Sequence, residues 1–183
     1  MNYLDKKILE DIQFYVTTKY SCGYIDGQDA QSIVATPYKN VKGENFNNLT
    51  SKGFRRSGQY VYKPNCKNCK ACKPIRLLAS DFLISRSQKR AKKYLDKLTV
   101  RILPLVFNQE HYELYVHYQN NRHDSANIND DDLADYNNFL IKSNVNSKII
   151  EFRLNNELKI VTIIDEVKDG ISAVYTFYDC SNK

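Results

Sequence analysis

Residues 53–76 constrain this chain more than any other stretch. They place two adjacent arginines, Arg55 and Arg56, three cysteines at three-residue spacing, Cys66, Cys69 and Cys72, and a lysine beside each cysteine in one short segment. A C-x-x-C-x-x-C run lets successive thiolates curl round one centre without an intervening helix or strand, and three thiolates are one ligand short of a closed tetrahedral site. The fourth position is open between Cys22, Cys180 and no protein ligand. Cys22 is preferred, because Gly23 permits a tight backbone approach and Ser21-Cys-Gly-Tyr24 reads as a turn. Lys63, Lys67, Lys70 and Lys73 favour thiolate over thiol and offset the charge that several thiolates would bring. The plainer alternative is a set of free cysteines, or one disulfide with spares.

At 183 residues the chain can bury one proper core, as one domain or two small intimate ones. A content of 42% hydrophobic and 26% charged residues is that of a soluble globular protein. With Tyr at 14 and Trp at 0, its aromatic rings are weighted towards those with a polar tip, which suit a core bordering a polar site. The formal charge of +6 favours a polyanionic partner without requiring one. No basic region followed by an apolar run opens the sequence, and no segment approaches the length of a membrane span. A cytoplasmic protein with no membrane partner is therefore expected, and in that compartment five cysteines read as metal ligands or catalytic groups. Oligomeric state leaves no mark.

Residues 8–20 alternate through Ile12, Phe14 and Val16 as a strand or extended arm. Asp26 is expected to cap a short helix running through Ala30 and Ile33 to Pro37, and a helical turn over residues 45–51 closes at Gly53. One strand then carries Arg56, Tyr60 and Tyr62 on a shared face, with Gly58 as a bulge, and residues 75–78 leave the cysteines as a second strand, which puts the cysteines at a hairpin turn. Residues 98–103 read as a strand ended by Pro104, and Asn108 caps a helix bearing Tyr112, Tyr115, Val116 and Tyr118. His111, His117 and His123 recur every six residues, too dispersed round a helix to form a metal site. Asp130, Asp131 and Asp132 load the start of another helix that leads into Leu133, Tyr136 and Leu140. Three β-branched and aromatic runs, residues 148–154, 157–167 and 171–178, joined by Asn155-Asn156 and Lys168-Asp-Gly170, form an antiparallel meander. The fold class is α+β.

Ser85-Arg-Ser-Gln88 fits a capping box, and Arg86, Lys89, Arg90, Lys92 and Lys93 crowd the first turns of the helix it opens. Such a helix start is an anion site or a solvated basic face. Like charges so close to the positive end of a dipole repel, and Arg55 and Arg56 stand as partners around the same phosphates, which favours the anion site. Asp165 is the one acid inside the apolar run Ile160-Val-Thr-Ile-Ile164; it is either a strand-end acid at solvent or a buried carboxylate that needs a partner.

Taken in order, Ser21-Cys-Gly-Tyr24, Gly53-Phe-Arg-Arg-Ser-Gly58, Val61-Tyr-Lys-Pro64, the cysteine run, Pro74-Ile-Arg76, Ser85-Arg-Ser-Gln88 and Ser172-Ala-Val-Tyr-Thr-Phe-Tyr-Asp179 resemble the aminoacyl-tRNA protein transferases of the N-degron pathway. The resemblance is nearest to the bacterial aspartate/glutamate leucyltransferases, relatives of the arginyltransferases. It implies an enzyme that moves an amino acid, Leu by preference or Arg, from aminoacyl-tRNA to the N-terminal Asp or Glu of a protein and so marks that protein for degradation. It also implies a cysteine-bearing region over residues 1–80, a GNAT-like transferase region over residues 81–183, and a zinc or iron-sulfur site at Cys22, Cys66, Cys69 and Cys72. Carried over residue by residue, Arg55, Arg56, Ser85, Arg86, Gln88, Lys89 and Arg90 would face the tRNA, and Asp165, Tyr175 and Phe177 would line the transfer cleft.

An aminoacyl ester is already activated. The enzyme must hold the acceptor amine at the ester carbonyl and neutralise the developing oxyanion. Asp165 is the expected proton acceptor for the amine, and Arg76 or Arg153 the cation that reads the acceptor's acidic side chain. Family members continue past the Tyr-Thr-Phe-Tyr-Asp strand, with Pro where Cys180 stands, so the resemblance implies a chain truncated at its C-terminus, with a sheet face in need of a covering helix. The alternatives are a non-catalytic tRNA- or RNA-binding cysteine module and an inactive remnant.

Overall fold

The computed structural model describes residues 12–123 and 132–181. Its first half is built on a four-stranded antiparallel sheet. β1 (Gln13–Val16) starts it, a short ribbon of β2 (Tyr20–Ser21) and β3 (Asp29–Ala30) follows, and β4 (Ser32–Thr36) pairs back on β1. The helix expected after Asp26 is absent. Gly27, at φ +69°, turns the chain instead, and the β-branched pair Ile33-Val34 sits in a ladder between β1 and a later strand, where pairing on both sides outweighs local helix preference.

Helix α1 (Gly43–Ser51) buries Phe46 and Leu49, and Gly53, at φ +85°, ends it as expected. Beyond it, the single bulged strand expected across Gly58 is a hairpin. β5 (Arg55–Ser57) turns back into β6 (Tyr60–Pro64), so that Arg55 faces Tyr62 and Arg56 faces Val61. The sheet order is β1-β4-β6-β5. Because β4 and β5 flank β6, its edges are filled, and residues 75–78 do not form the expected second strand. They run as part of a strap, exposed throughout from 70 to 97.

The strap contains helix α2 (Arg86–Leu95), opened by the full capping box: Gln88 N–H donates to Ser85 Oγ at 3.3 Å, and Ser85 N–H donates to Gln88 Oε1 at 2.9 Å. β7 (Thr99–Pro104) leads to α3 (Gln109–Arg122), capped by Asn108. Asp130 and Asp131 lie outside the described residues. Asp132 precedes α4 (Leu133–Tyr136), which runs into a π-helical turn, Asn137–Ile141.

The meander closes the fold: β8 (Ser147–Leu154), β9 (Glu157–Val167) and β10 (Gly170–Tyr178), in the order β10-β9-β8-β7. Asn155 and Asn156, at φ 50° and 68°, make the tight turn that suits the twist of two antiparallel strands. One face of this sheet carries Ile149, Val161, Ile163 and Phe177 into a core with Tyr112, Tyr115, Tyr136 and Leu140. Antiparallel sheets with separate helices make the fold α+β.

The two sheets meet at a seam. The tip of the β5–β6 hairpin presses on the π-helical turn: Gly58 N–H donates to the Phe139 carbonyl at 2.8 Å, and a Cβ on Gly58 would lie 2.0 Å from the Asn138 carbonyl oxygen. Gly58 also holds φ +57°, so both conformation and space require glycine there.

Candidate functional site

At the centre of the seam Arg56 meets Asp165. The guanidinium Nε donates to both carboxylate oxygens, at 2.9 and 2.8 Å; Ser147 Oγ donates to Oδ1 at 2.6 Å; and Arg56 Nη1 donates to the carbonyls of Gly58 at 3.0 Å and Lys142 at 3.3 Å. Asp165 is 0% exposed and Arg56 6%. Of the two sequence readings of Asp165, the buried, partnered carboxylate is the one observed. Neither group reaches solvent, so the geometry gives Asp165 no access to an acceptor amine and Arg56 none to a phosphate. Their pairing joins residues 109 positions apart and pins the first sheet to the second.

Phe177 is also fully buried, edge-on to Tyr115 with ring centroids 5.6 Å apart. Tyr175 differs. It is half-buried, packs against Phe139, and its hydroxyl accepts a hydrogen bond from Gln119 Nε2 at 3.0 Å. Burial, with the neighbouring Tyr115 and Tyr118, pushes its phenol pKa up, against the opposing hydrogen bond from Gln119. It therefore stays protonated at neutral pH. Of the three residues expected at the transfer cleft, Tyr175 alone presents a polar reactive atom outside the fully buried core.

Arg153, expected to read an acidic acceptor, is already held. Its Nε donates to Glu151 at 2.8 Å, and its Nη atoms donate to Glu110 at 3.0 and 2.5 Å. Glu151 also faces His111 Nε2 at 2.6 Å, with both side chains buried. The Arg153 hydrogen bond, helped by His111 and opposed by burial, brings the Glu151 carboxyl down to about 2. Sequence reasoning missed this network. The strand alternation that sends Ile149 inward also sends Glu151 and Arg153 to the same face, and that was the available signal. A second buried cation, Lys159, bonds Glu157 and Asp179 at 2.7 and 2.8 Å and holds Asp179 at about 2.

The strap contrasts with all of this. Arg55 is exposed, and its guanidinium donates to the Lys73 carbonyl at 3.5 Å. Arg76, Arg86, Lys89 and Arg90 are exposed, Ser85 and Gln88 are engaged in the cap, and Lys92 pairs with Asp96. Cys22, Cys66, Cys69 and Cys72 are free thiols, half-buried or, for Cys72, exposed. Cys66 Sγ lies 3.7 Å from the Gln31 carbonyl. Burial raises the Tyr62 phenol pKa, Tyr24, Tyr20 and Cys72 add to the effect and Arg55 opposes it. The thiols do not converge, however. Among the described residues no group of three or more His, Cys, Asp or Glu side chains could hold a metal ion. Nor, among the described residues, is any helix long and apolar enough to cross a membrane.

A groove of about 550 Å³ opens at the seam between α1 and the β9–β10 turn, lined by Phe46, Asn47, Asn146, Glu166, Lys168 and Ile171 among others. None of the candidate site residues named from the sequence lines it.

Comparison with known proteins adds a direct result. The arginine-tRNA-protein transferase N-terminus model matches residues 20–90, and the corresponding C-terminus model matches residues 110–183. An aspartate/glutamate leucyltransferase of Methylobacillus flagellatus is 47% identical over 175 residues, which cover 96% of this chain and 71% of that protein. Proteins of the same name from Chromobacterium violaceum, 45% identical over 92% of this chain and 69% of their own, and from Polynucleobacter necessarius, 43% identical over 100% and 75%, are similar in the same way.

Proposed function

Since the chain belongs to the aspartate/glutamate leucyltransferase family of aminoacyltransferases, we propose that it moves leucine from leucyl-tRNA to the N-terminal Asp or Glu of acceptor proteins in the cytoplasm and so marks them for degradation. The observation that carries this reading is the similarity to leucyltransferases over 96% of the chain, which takes in both sheets and the strap between them. Leucine is favoured over arginine because the similar proteins bear that name. We take residues 1–80 as the cysteine-bearing region and residues 81–183 as a GNAT-like region.

In the reaction the acceptor's α-amine attacks the ester carbonyl. A C–N bond forms, the C–O bond to the tRNA ribose breaks, and the ribose oxygen leaves with a proton. The main requirement is positioning beside a donor aimed at the developing oxyanion. Tyr175 suits that donor. Its hydroxyl accepts from Gln119 and keeps its own proton to give, and its raised pKa holds that proton at neutral pH. Asp165 and Arg56 serve by fixing the seam, away from the substrate. Arg55, Arg86, Lys89 and Arg90 meet the tRNA backbone, and the exposed Arg76 reads the acceptor's carboxylate. The cysteines have the donor chemistry for zinc or an iron-sulfur cluster but are not placed as a ligand set, so no step runs through a metal.

The test is a transfer assay with purified chain, leucyl-tRNA or arginyl-tRNA, and peptides beginning with Asp, Glu or Gly. Leucine transfer to the Asp and Glu peptides alone is the expected result. No transfer by folded protein that still binds tRNA would replace this reading with a binding module.

A further inference from the structure

The four-stranded sheet of the first half has two unlike faces. Its register places Phe14, Ala35, Val61 and Arg56 in one row and Tyr15, Val34, Tyr62 and Arg55 in the next, and alternation points the two rows opposite ways. Ala35 and Val61 enter the core with Phe46 and Leu49, and Phe14 packs on Phe54 with ring centroids 5.6 Å apart. The second row therefore faces outward, and Tyr60, two residues from Tyr62, lies beside it on the same face. Tyr60 and Tyr62 share a face as their spacing predicts, with Arg55 as their companion in place of Arg56. Two more tyrosines reach this face: the Tyr20 hydroxyl lies 2.7 Å from Ser32 Oγ, and Tyr38 stands edge-on to Tyr60 with centroids 5.2 Å apart. Tyr15 is 57% exposed, Tyr60 55% and Tyr20 48%. Five tyrosine rings gathered on one face are more than scattered exposure, and they mark a contact surface.

The chemistry of the face selects its occupant. Arg55 is the one charge in the outward row, and its hydrogen bond to the Lys73 carbonyl joins the aromatic face to the strap, where Lys70, Lys73 and Arg76 are exposed. Flat rings beside cations suit a ligand that carries both π faces and negative charges. A single strand of nucleic acid is such a ligand: its bases stack on aromatic side chains whatever their sequence, and its phosphates meet the cations. Four-stranded sheets with exposed aromatic residues hold two or three unpaired bases in this manner. Tyr60 and Tyr62, two positions apart on one strand, are spaced by about 7 Å, which leaves each ring free to take its own splayed base. A duplex cannot use such a site, because its base faces already cover one another.

We infer that the outer face of the first sheet, through Tyr15, Tyr20, Tyr60 and Tyr62 with Arg55, is a stacking site for unpaired RNA nucleotides. The site rests on the sheet register and the exposed rings; that its RNA is the substrate tRNA rests on the proposed function.

The test titrates the full chain with a single-stranded RNA of about eight nucleotides, carrying no amino acid, and with the same strand annealed to its complement. With Trp at 0, the intrinsic fluorescence of the chain comes from tyrosine, and stacking quenches it. Quenching by the single strand, and binding of the duplex at least tenfold weaker, are expected. Tyr15→Ala and Tyr60→Ala should each weaken single-strand binding about tenfold and leave its salt dependence unchanged, since a ring and not a cation is removed. Both side chains are more than half exposed, so the thermal midpoint should stay where it is. Tyr60→Phe, which keeps the ring, should bind as the parent chain does, and so should Tyr94→Ala, which removes an exposed ring from α2. Absence of quenching, an affinity indifferent to Tyr15→Ala and Tyr60→Ala, or a preference for the duplex overturns the proposal. Self-association of the chain that Tyr60→Ala abolishes also overturns it and assigns the face to a second copy. Leucine transfer without single-strand binding would overturn this site and leave the proposed function standing; single-strand binding without transfer would do the reverse.

Discussion

The buried ion pairs and the exposed strap are both rich in cations, and they use them in opposite ways. Arg56 is sealed with Asp165 at the seam, while within the second sheet Arg153 is held by Glu151 and Glu110 and Lys159 by Glu157 and Asp179. Arg55 on β5, and Arg86, Lys89 and Arg90 in the strap exposed from residue 70 to 97, point to water. A buried charge is tolerated only with its partner, so these cations are committed to the fold. An exposed cation is worth little to stability and remains available to a polyanion. Arg55 and Arg56 stand on the two sides of this division. Adjacent residues on a strand point to opposite faces, and only one of these faces the second sheet.

Among single substitutions, breaking the seam should have the largest effect. Asp165→Ala strands the Arg56 guanidinium in the interior and should cost about 3–5 kcal/mol in urea unfolding; a loss below about 1 kcal/mol would mean that the pair is not sealed from water. Next is Tyr175→Phe, which removes the proposed oxyanion donor but keeps the ring. Leucine transfer should fall about a hundredfold in kcat, with KM for the acceptor little changed and tRNA binding retained. Unaltered kcat would take Tyr175 out of the chemistry.

Acid should act on the paired carboxylates of the second sheet before it acts on the strap. Glu151 and Asp179 are held near 2, against ordinary values of 4.5 and 3.8. The stability they confer is present above the ordinary values and is lost as the pH falls through about 2. Unfolding free energy should therefore drop by roughly 4–6 kcal/mol across that window, and Glu151→Gln should flatten the decline. The smallest effect belongs to the strap: Lys89→Glu with Arg90→Glu should weaken tRNA binding about tenfold and reduce its salt dependence, with the thermal midpoint unmoved. A lowered midpoint would show those side chains to be part of the fold.

What could be read from the residues follows the range of the forces involved. The meander was legible because Asn155-Asn156 and alternating β-branched residues act over a few positions, and so were the caps at Ser85 and Asn108. The helix expected from Asp26 was overridden by β1 and by β6, which pair with β4 from seventeen and more residues away along the chain. Gly58 read as a bulge because nothing local reports that a π-helical turn some eighty residues later leaves room for a hairpin tip and no side chain. Asp165 was visible as an acid in an apolar strand. Its partner, Arg56, was not, since nothing in the spacing of either residue names the other. The cysteine run was conspicuous in sequence, yet its thiols stand apart and the buried Arg56–Asp165 pair carries the junction between the sheets.

The division between the two arginines is tested most directly by urea unfolding of Arg55→Ala and Arg56→Ala side by side. Arg56→Ala should lose about 3–5 kcal/mol, because Asp165 is left buried without its cation, and Arg55→Ala should stay within about 0.5 kcal/mol of the parent chain, as exposed substitutions do. Equal losses, or a larger loss for Arg55, would contradict the separation of a buried structural seam from an exposed surface that receives the tRNA.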